Sequence, residues 1–287
     1  MYFISRVKYS TYCDADPESE VAMKRHRTRR FATAISIIGC FAVSWLAAGW
    51  PGDRAQANAP ADVQTILKRM DDLYRSRSST SEITMTIITP NWQRTLVLRG
   101  WTRGQDRMFV RILSPLKEQG VGTLKIGNEM WNYFPKTDKV MKLPPSMMMS
   151  SWMGSDFTND DLVKEYRLAD DFTSRLIQPE KAEPGVIYIE SRPKEGLPII
   201  WDKTIAAIRE SDLIPLWQDF FDERGTLVRS LRFGEVKKFG TRSVPSVMEM
   251  IPRTKEGYKT VIRYDKLAFD VPLGDEIFSL RNLQSQK

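Results

Sequence analysis

The sequence predicts a mainly β protein with few helices, built on one large antiparallel sheet that is strongly curved or closed. Three observations carry this. From Ser81 onward, apolar and polar residues alternate with a period of two in one short run after another. Turn-forming residues punctuate those runs, and no helical pattern separates them. Ahead of them, a single stretch has helical spacing.

That stretch is 61–75. Val63, Ile66, Leu67, Met70, Leu73 and Tyr74 recur at steps of three and four, with Gln64, Lys68, Arg69 and Asp71 between them, as in an amphipathic helix. The first strand follows, where Ile83, Met85 and Ile87 alternate with Glu82, Thr84 and Thr86. Similar runs lie at 94–101, 107–113, 121–126, 129–134 and 139–143. The second half continues with 185–191, 203–209, 216–222, 226–238, 246–251 and 259–269. Gly104, Gly127-Asn128, Pro135-Lys136-Thr137, Gly225 and Glu256-Gly257 mark the turns, so about ten to twelve strands are expected. Between Pro144 and Lys164 the pattern breaks. Pro144-Pro145 stops a strand, and Thr158-x-x-Asp161 is a capping box that starts a short helix. With no repeat and no linker, residues 58–287 read as one domain.

Residues 1–57 read as an extension and export signal. Met23 is the expected start, ahead of a basic run that ends in Arg29-Arg30. An uncharged stretch follows from Phe31 to Trp50, and then Ala55-Gln56-Ala57, so cleavage is expected after Ala57. An uncleaved anchor is the alternative, because that stretch is long enough to cross a bilayer. Either way the rest of the chain is exported. His26, Cys13 and Cys40, the whole stock of those residues, lie in this leader. A Ser-His-Asp triad, a Cys nucleophile, a haem ligand and a zinc site are then unavailable to the mature chain, and so is a disulfide. A formal charge of +7 over 287 residues is too diffuse for a nucleic-acid binder. No cofactor is expected.

The acids Asp156, Asp160, Asp161 and Glu165 cluster as a carboxylate hydrolase would need, but acids at a helix start also complement its dipole. The more unusual feature is apolar. Met147, Met148, Met149, Trp152 and Met153 crowd one loop, where polar residues are usual. Met suits surfaces that accept apolar ligands of variable shape, so the loop reads as a movable flap and the 61–75 helix as a plug or lid. A curved sheet under two such covers encloses an apolar cavity. Burying one lipid tail there is worth on the order of 10 kcal/mol, at about 0.8 kcal/mol per methylene. The chain therefore reads as a carrier, not an enzyme. The expected cavity, lid and flap residues are Leu67, Met70, Met85, Phe109, Trp131, Met147, Met148, Met149, Trp152 and Met153.

The chain also resembles a family. Ser81-Glu82-Ile83-Thr84-Met85-Thr86, Arg107-Met108-Phe109, Ser114-Pro115 and Gly127-Asn128-Glu129-Met130-Trp131 follow the helix in the order found in the periplasmic lipoprotein carrier LolA. Leu143-Pro144-Pro145-Ser146-Met147-Met148, Gly154-Ser155-Asp156-Phe157 and Asp160-Asp161-Leu162 are similar to a branch of outer-membrane lipoprotein-sorting proteins. Leu213-Ile214-Pro215-Leu216, Val244-Pro245 and Ile277-Phe278-Ser279-Leu280-Arg281 extend the likeness to the C-terminus. The resemblance implies an unclosed β-barrel with a helical lid, LolA/LolB-like. It implies a periplasmic monomer that takes acyl chains of lipoproteins or other lipids from an inner-membrane transporter to an outer-membrane acceptor. An accessory lipid-binding subunit of an RND-type or ABC lipid exporter, held at the inner membrane, is the alternative. In that family an Arg early in the third strand latches the lid; the matching position is Arg107. The Met-rich flap departs from the well-studied carrier.

Overall fold

The computed structural model describes residues 62–164 and 166–285. The expected start at Met23, the Phe31–Trp50 stretch and the cleavage point after Ala57 lie outside the described residues.

Helix α1 (Val63–Asp71) opens the described chain. Strands β1 (Ser78–Ile88), β2 (Gln93–Arg103), β3 (Arg107–Ser114), β4 (Gly122–Ile126), β5 (Glu129–Phe134) and β6 (Lys139–Lys142) then form one meander. Helices α2 (Asn159–Val163) and α3 (Leu168–Asp171) interrupt it. A second meander follows: β7 (Phe172–Ile177), β8 (Val186–Pro193), β9 (Lys203–Arg209), β10 (Pro215–Phe221), β11 (Leu227–Phe239), β12 (Arg242–Pro252) and β13 (Lys259–Phe269). A 3₁₀ turn (Asp275–Phe278) and helix α4 (Leu280–Gln284) end the described chain.

The two meanders join where β1 pairs β13, giving one thirteen-stranded sheet in the order β6-β5-β4-β3-β2-β1-β13-β12-β11-β10-β9-β8-β7. Every neighbouring pair is antiparallel, and β6 and β7 are the two free edges, so the barrel is not closed. The expected fold class holds. The sheet has one strand more than the sequence suggests, because edge strand β7, with its Phe-Thr-Ser-Arg-Leu-Ile run, buries only Phe172 fully and leaves a weak pattern.

This topology dictates what covers the sheet. Since β6 and β7 lie at opposite edges, the chain between them, 143–171, must travel from one edge to the other. The face beneath it is called inner here. Direct cross-strand partners share a face, so the register places Met85, Leu96, Ile262, Met248 and Phe233 on the inner face. α1 packs on the same face, where Ile66 and Leu67 bury against Ile189, Ala206 and Ile208.

The helix is shorter than the 61–75 pattern because Tyr74 leaves it: its hydroxyl donates to Pro245 O at 2.6 Å and its ring stacks on Tyr264. The outer face of β2–β5 is covered too. Phe278 and Leu283 of the C-terminal segment pack on Phe109, Leu124 and Tyr133. Gly122 makes room for this, since a Cβ there would sit 2.8 Å from Leu283 Cδ1.

Candidate functional site

The edge-to-edge crossover is a folded element rather than a loose loop. Pro145 begins a 3₁₀ turn, Trp152 N donates to Phe157 O at 2.8 Å, and the Asn159 side-chain amide donates to Met147 O and Ser150 O. Met153 and Gly154 are both left-handed, with φ of 51° and 73°. That reversal holds Trp152 down onto the inner face against Met85, Leu96, Leu98, Val110 and Ile112. Its indole N–H donates to Thr123 Oγ1 at 3.2 Å, so the ring is buried without an orphaned donor. Burying roughly 200 Å² of Trp surface is worth about 5 kcal/mol before entropy is counted.

After this turn, Thr158 caps α2 as its sequence signature indicates. Asp161 N donates to Thr158 Oγ1 at 3.1 Å, and Thr158 N donates to Asp161 Oδ2 at 2.8 Å. The same carboxylate receives Arg229 Nη1 and Nη2 of β11 at 2.8 and 2.7 Å. The guanidinium lies between the rings of Trp201 and Phe220, 4.3 and 4.6 Å from their centroids. Burial pushes the Asp161 carboxyl up, but the Arg229 and Thr158 hydrogen bonds outweigh it and hold the group below the usual carboxylate range.

Between α1 and the crossover lies a cavity of about 520 Å³ over β9–β13. Its walls are Met70 of α1, Leu73 and Tyr74 just beyond the helix, Trp152, Phe157 and Leu162 of the crossover, and Leu231, Phe233, Met248 and Ile262 of the sheet. Its polar lining includes the Arg229–Asp161 pair, Asp160, Lys164, Gln218 and Thr204. Two further clefts flank the crossover. One, of about 450 Å³, is lined by Met147, Met153, Leu96 and Ile112; the other, of about 770 Å³, by Met148, Met149, Val163 and Ile200.

The expected site residues therefore separate. Met70 and Trp152 reach the main cavity, and Met147, Met148, Met149 and Met153 line the flanking clefts. Met147 and Met149 are exposed, while Met148 packs beside Met130 and Leu143. Leu67 and Met85 are fully buried in packed clusters at either end of the inner face and line no opening described above. Phe109 and Trp131 do not belong to the cavity: they lie on the outer face beneath Phe278 and Leu283. Arg107 is corrected for the same reason. It pairs with Asp275 of the C-terminal segment at 3.0 Å, not with α1. The sequence reading missed Leu231, Phe233, Met248 and Arg229; the 246–251 alternation carried a signal for Met248 but not for which face it meets.

The clustered acids have structural partners. Asp161 binds Arg229, Asp160 pairs with Lys164 at 2.7 Å, and Asp156 accepts from Thr260 Oγ1 at 2.7 Å. Burial leaves the Asp156 carboxyl above its ordinary range. Glu165 lies outside the described residues. Among the described residues there is no cluster of three or more His, Cys, Asp or Glu able to hold a metal, and no helix long and apolar enough to cross a membrane.

Residues 104–285 match the model of a family described as an uncharacterized protein, the DUF1329 family. The chain belongs to that family. A DUF1329 protein from Desulfovibrio piger is 25% identical, with a TM-score of 0.68 over 77% of this chain and 97% of that one. A domain named for outer membrane lipoprotein sorting, from Vibrio parahaemolyticus, aligns at 18% identity and TM-score 0.66 over 77% and 98% of the two chains. A LolA superfamily protein from Nitrosomonas europaea aligns at 19% and 0.63 over 76% and 98%. No curated protein sequence matches the chain. This DUF1329 protein thus shares the fold of LolA superfamily and lipoprotein-sorting proteins, an open antiparallel sheet with helical covers.

Proposed function

We propose that the protein is an exported, non-enzymatic carrier that holds acyl chains of lipoproteins or other lipids and moves them between membranes. One observation carries the reading: a cavity of about 520 Å³ with mainly apolar walls, lying between two covers on the inner face. Its size falls in the range of roughly 300–1,000 Å³ typical of ligand sites. An acyl chain of a dozen methylenes gains about 10 kcal/mol by leaving water, which supplies affinity without any reacting group. The likeness to proteins named for lipoprotein sorting supports this reading. Release then follows from opening α1 and the crossover at an acceptor, which lowers the cost of losing those contacts. The uncharged stretch from Phe31 to Trp50 favours a second form of the same reading, a subunit held at the inner membrane beside a lipid exporter. N-terminal sequencing of the exported protein separates them: a start at Asn58 removes the anchored form.

The carrier reading is tested by titrating the delipidated protein with a fluorescent long-chain lipid. Wild type should bind saturably. Met248→Trp, which places a bulky ring in the cavity while keeping the wall apolar, should bind far more weakly with an unchanged circular-dichroism spectrum. Equal binding by both proteins would remove this cavity from the mechanism.

A further inference from the structure

An arginine-lined groove of about 1,080 Å³ lies at the C-terminal end of α1. Four arginines line it: Arg69, Arg75, Arg77 and Arg242. Two acids share the lining, but both are engaged by arginines outside it. Asp212 pairs with Arg209 at 2.7 Å, and Asp72 with Arg167 at 3.7 Å. A third acid, Asp270, meets Arg77 at 3.7 Å and Arg242 at 3.3 Å, so one carboxylate serves two guanidiniums. Arg69 is exposed and has no ion pair or hydrogen-bond partner among the described residues. Arg75 donates to Tyr166 O and lies beside the Asp71 carboxylate, so the groove's excess of positive charge comes from Arg69 and from the two arginines that share Asp270. The groove also offers the hydroxyls of Ser76, Thr241 and Ser243.

The groove adjoins the apolar cavity: Leu73 and Arg75 line both. A chain lying beside Met70 and Tyr74 leaves the cavity past Leu73 and meets the arginines. That juxtaposition is the chemistry of an amphiphile with an anionic head. Guanidinium forks match phosphate oxygens in pairs, whereas an uncharged glyceride head accepts only weaker hydrogen bonds from them and pairs no charge. Resting on the carrier reading above, we propose that the cargo is a phosphate-bearing acyl lipid whose head group binds the Arg69–Arg75–Arg77–Arg242 groove.

The test compares two probes with the same fluorescent tail, a lysophosphatidic acid and a monoacylglycerol, on wild type and on Arg69→Gln/Arg77→Gln. Both positions are exposed, so the double variant should fold normally. Wild type should prefer the phosphate lipid on the order of tenfold, and the preference should shrink as salt is raised. In the variant the preference should vanish while monoacylglycerol binds as before. Equal binding of both probes to wild type, or a preference that survives in the variant, overturns the proposal and leaves the carrier reading standing. Failure of both probes to bind wild type overturns both. Glycerol 3-phosphate, the head group without a chain, should compete only weakly; binding as tight as the lipid's would mean a site for free phosphate esters, and would also overturn the proposal.

Discussion

At the scale of single residues, the strongest electrostatic commitment is Arg229 with Asp161. Both are largely removed from water, and the pair fastens α2 of the crossover to β11. Removing one partner of such a pair leaves a buried charge uncompensated, which costs about 3–5 kcal/mol. Asp161→Ala should lower stability by about that much in urea denaturation, and Arg229→Met in the same chain should recover a large part. The pH dependence has a definite sign. Asp161 titrates below its ordinary range when folded, so its contribution is complete above the unfolded-state value and is lost as pH falls through the folded one. The stability gap between wild type and Asp161→Asn should therefore close on acidification. Asp156 runs the other way. Burial raises its carboxyl, so ionisation at neutral pH weakens the fold and protonation relieves it as pH falls. Asp156→Asn should be neutral to stabilising at pH 7 and leave lipid binding intact; loss of a turnover activity in that variant would revive the hydrolase alternative.

At the scale of elements, the C-terminal segment shows where the sequence was readable and where it was not. β3 reads Arg-Met-Phe-Val-Arg-Ile-Leu-Ser, with Met108, Phe109 and Val110 apolar in a row, and Phe109, Val110, Arg111 and Ile112 are all buried, because both faces of that strand are covered. A period of two says which residues share a face, not which face meets a cavity. Phe109 and Trp131 were therefore legible as buried strand residues and illegible as outer-face ones. The capping box of α2 was legible because its signal is local, four residues long and chemically specific. α3 and α4, of four and five residues, are too short for a 3.6-residue period to show.

The same placement revises Arg107. Its partner Asp275 is mostly exposed and the Arg is itself partly so; solvent and salt screen such pairs, which add little to stability. Arg107→Leu should leave stability nearly unchanged and lipid release at the wild-type rate in a transfer assay. Slowed release would restore a gating role. Arg111 is different: it is buried and donates to Asn282 O and Leu283 O at 2.7 and 3.0 Å. Arg111→Leu leaves both carbonyls short of a donor beneath the segment, and should cost clearly more in thermal unfolding than Arg107→Leu.

At the scale of the whole molecule, the strand order makes the two covers into one. The crossover must span the sheet from β6 to β7, and its far end is tied directly to α1: the Asp71 carboxylate accepts from Leu168 N at 3.1 Å and Ala169 N at 3.0 Å, capping α3. The near end is held by Trp152 on the β1–β3 half of the inner face, and the middle by the Arg229–Asp161 pair. A ligand entering between α1 and the crossover therefore works against a coupled lid rather than two separate flaps. Differential affinity for the open and closed arrangements is what shifts such an equilibrium. Hydrogen exchange can read the coupling. On lipid loading, protection should change together in 63–75 and 145–171 and stay constant in the C-terminal α4, which lies on the other face. In Asp71→Ala, with the tie cut, the crossover should still respond while the response of α1 falls away. A change confined to α1 in wild type, or an undiminished joint response in the variant, would mean that the covers move independently and that the topology does not couple them.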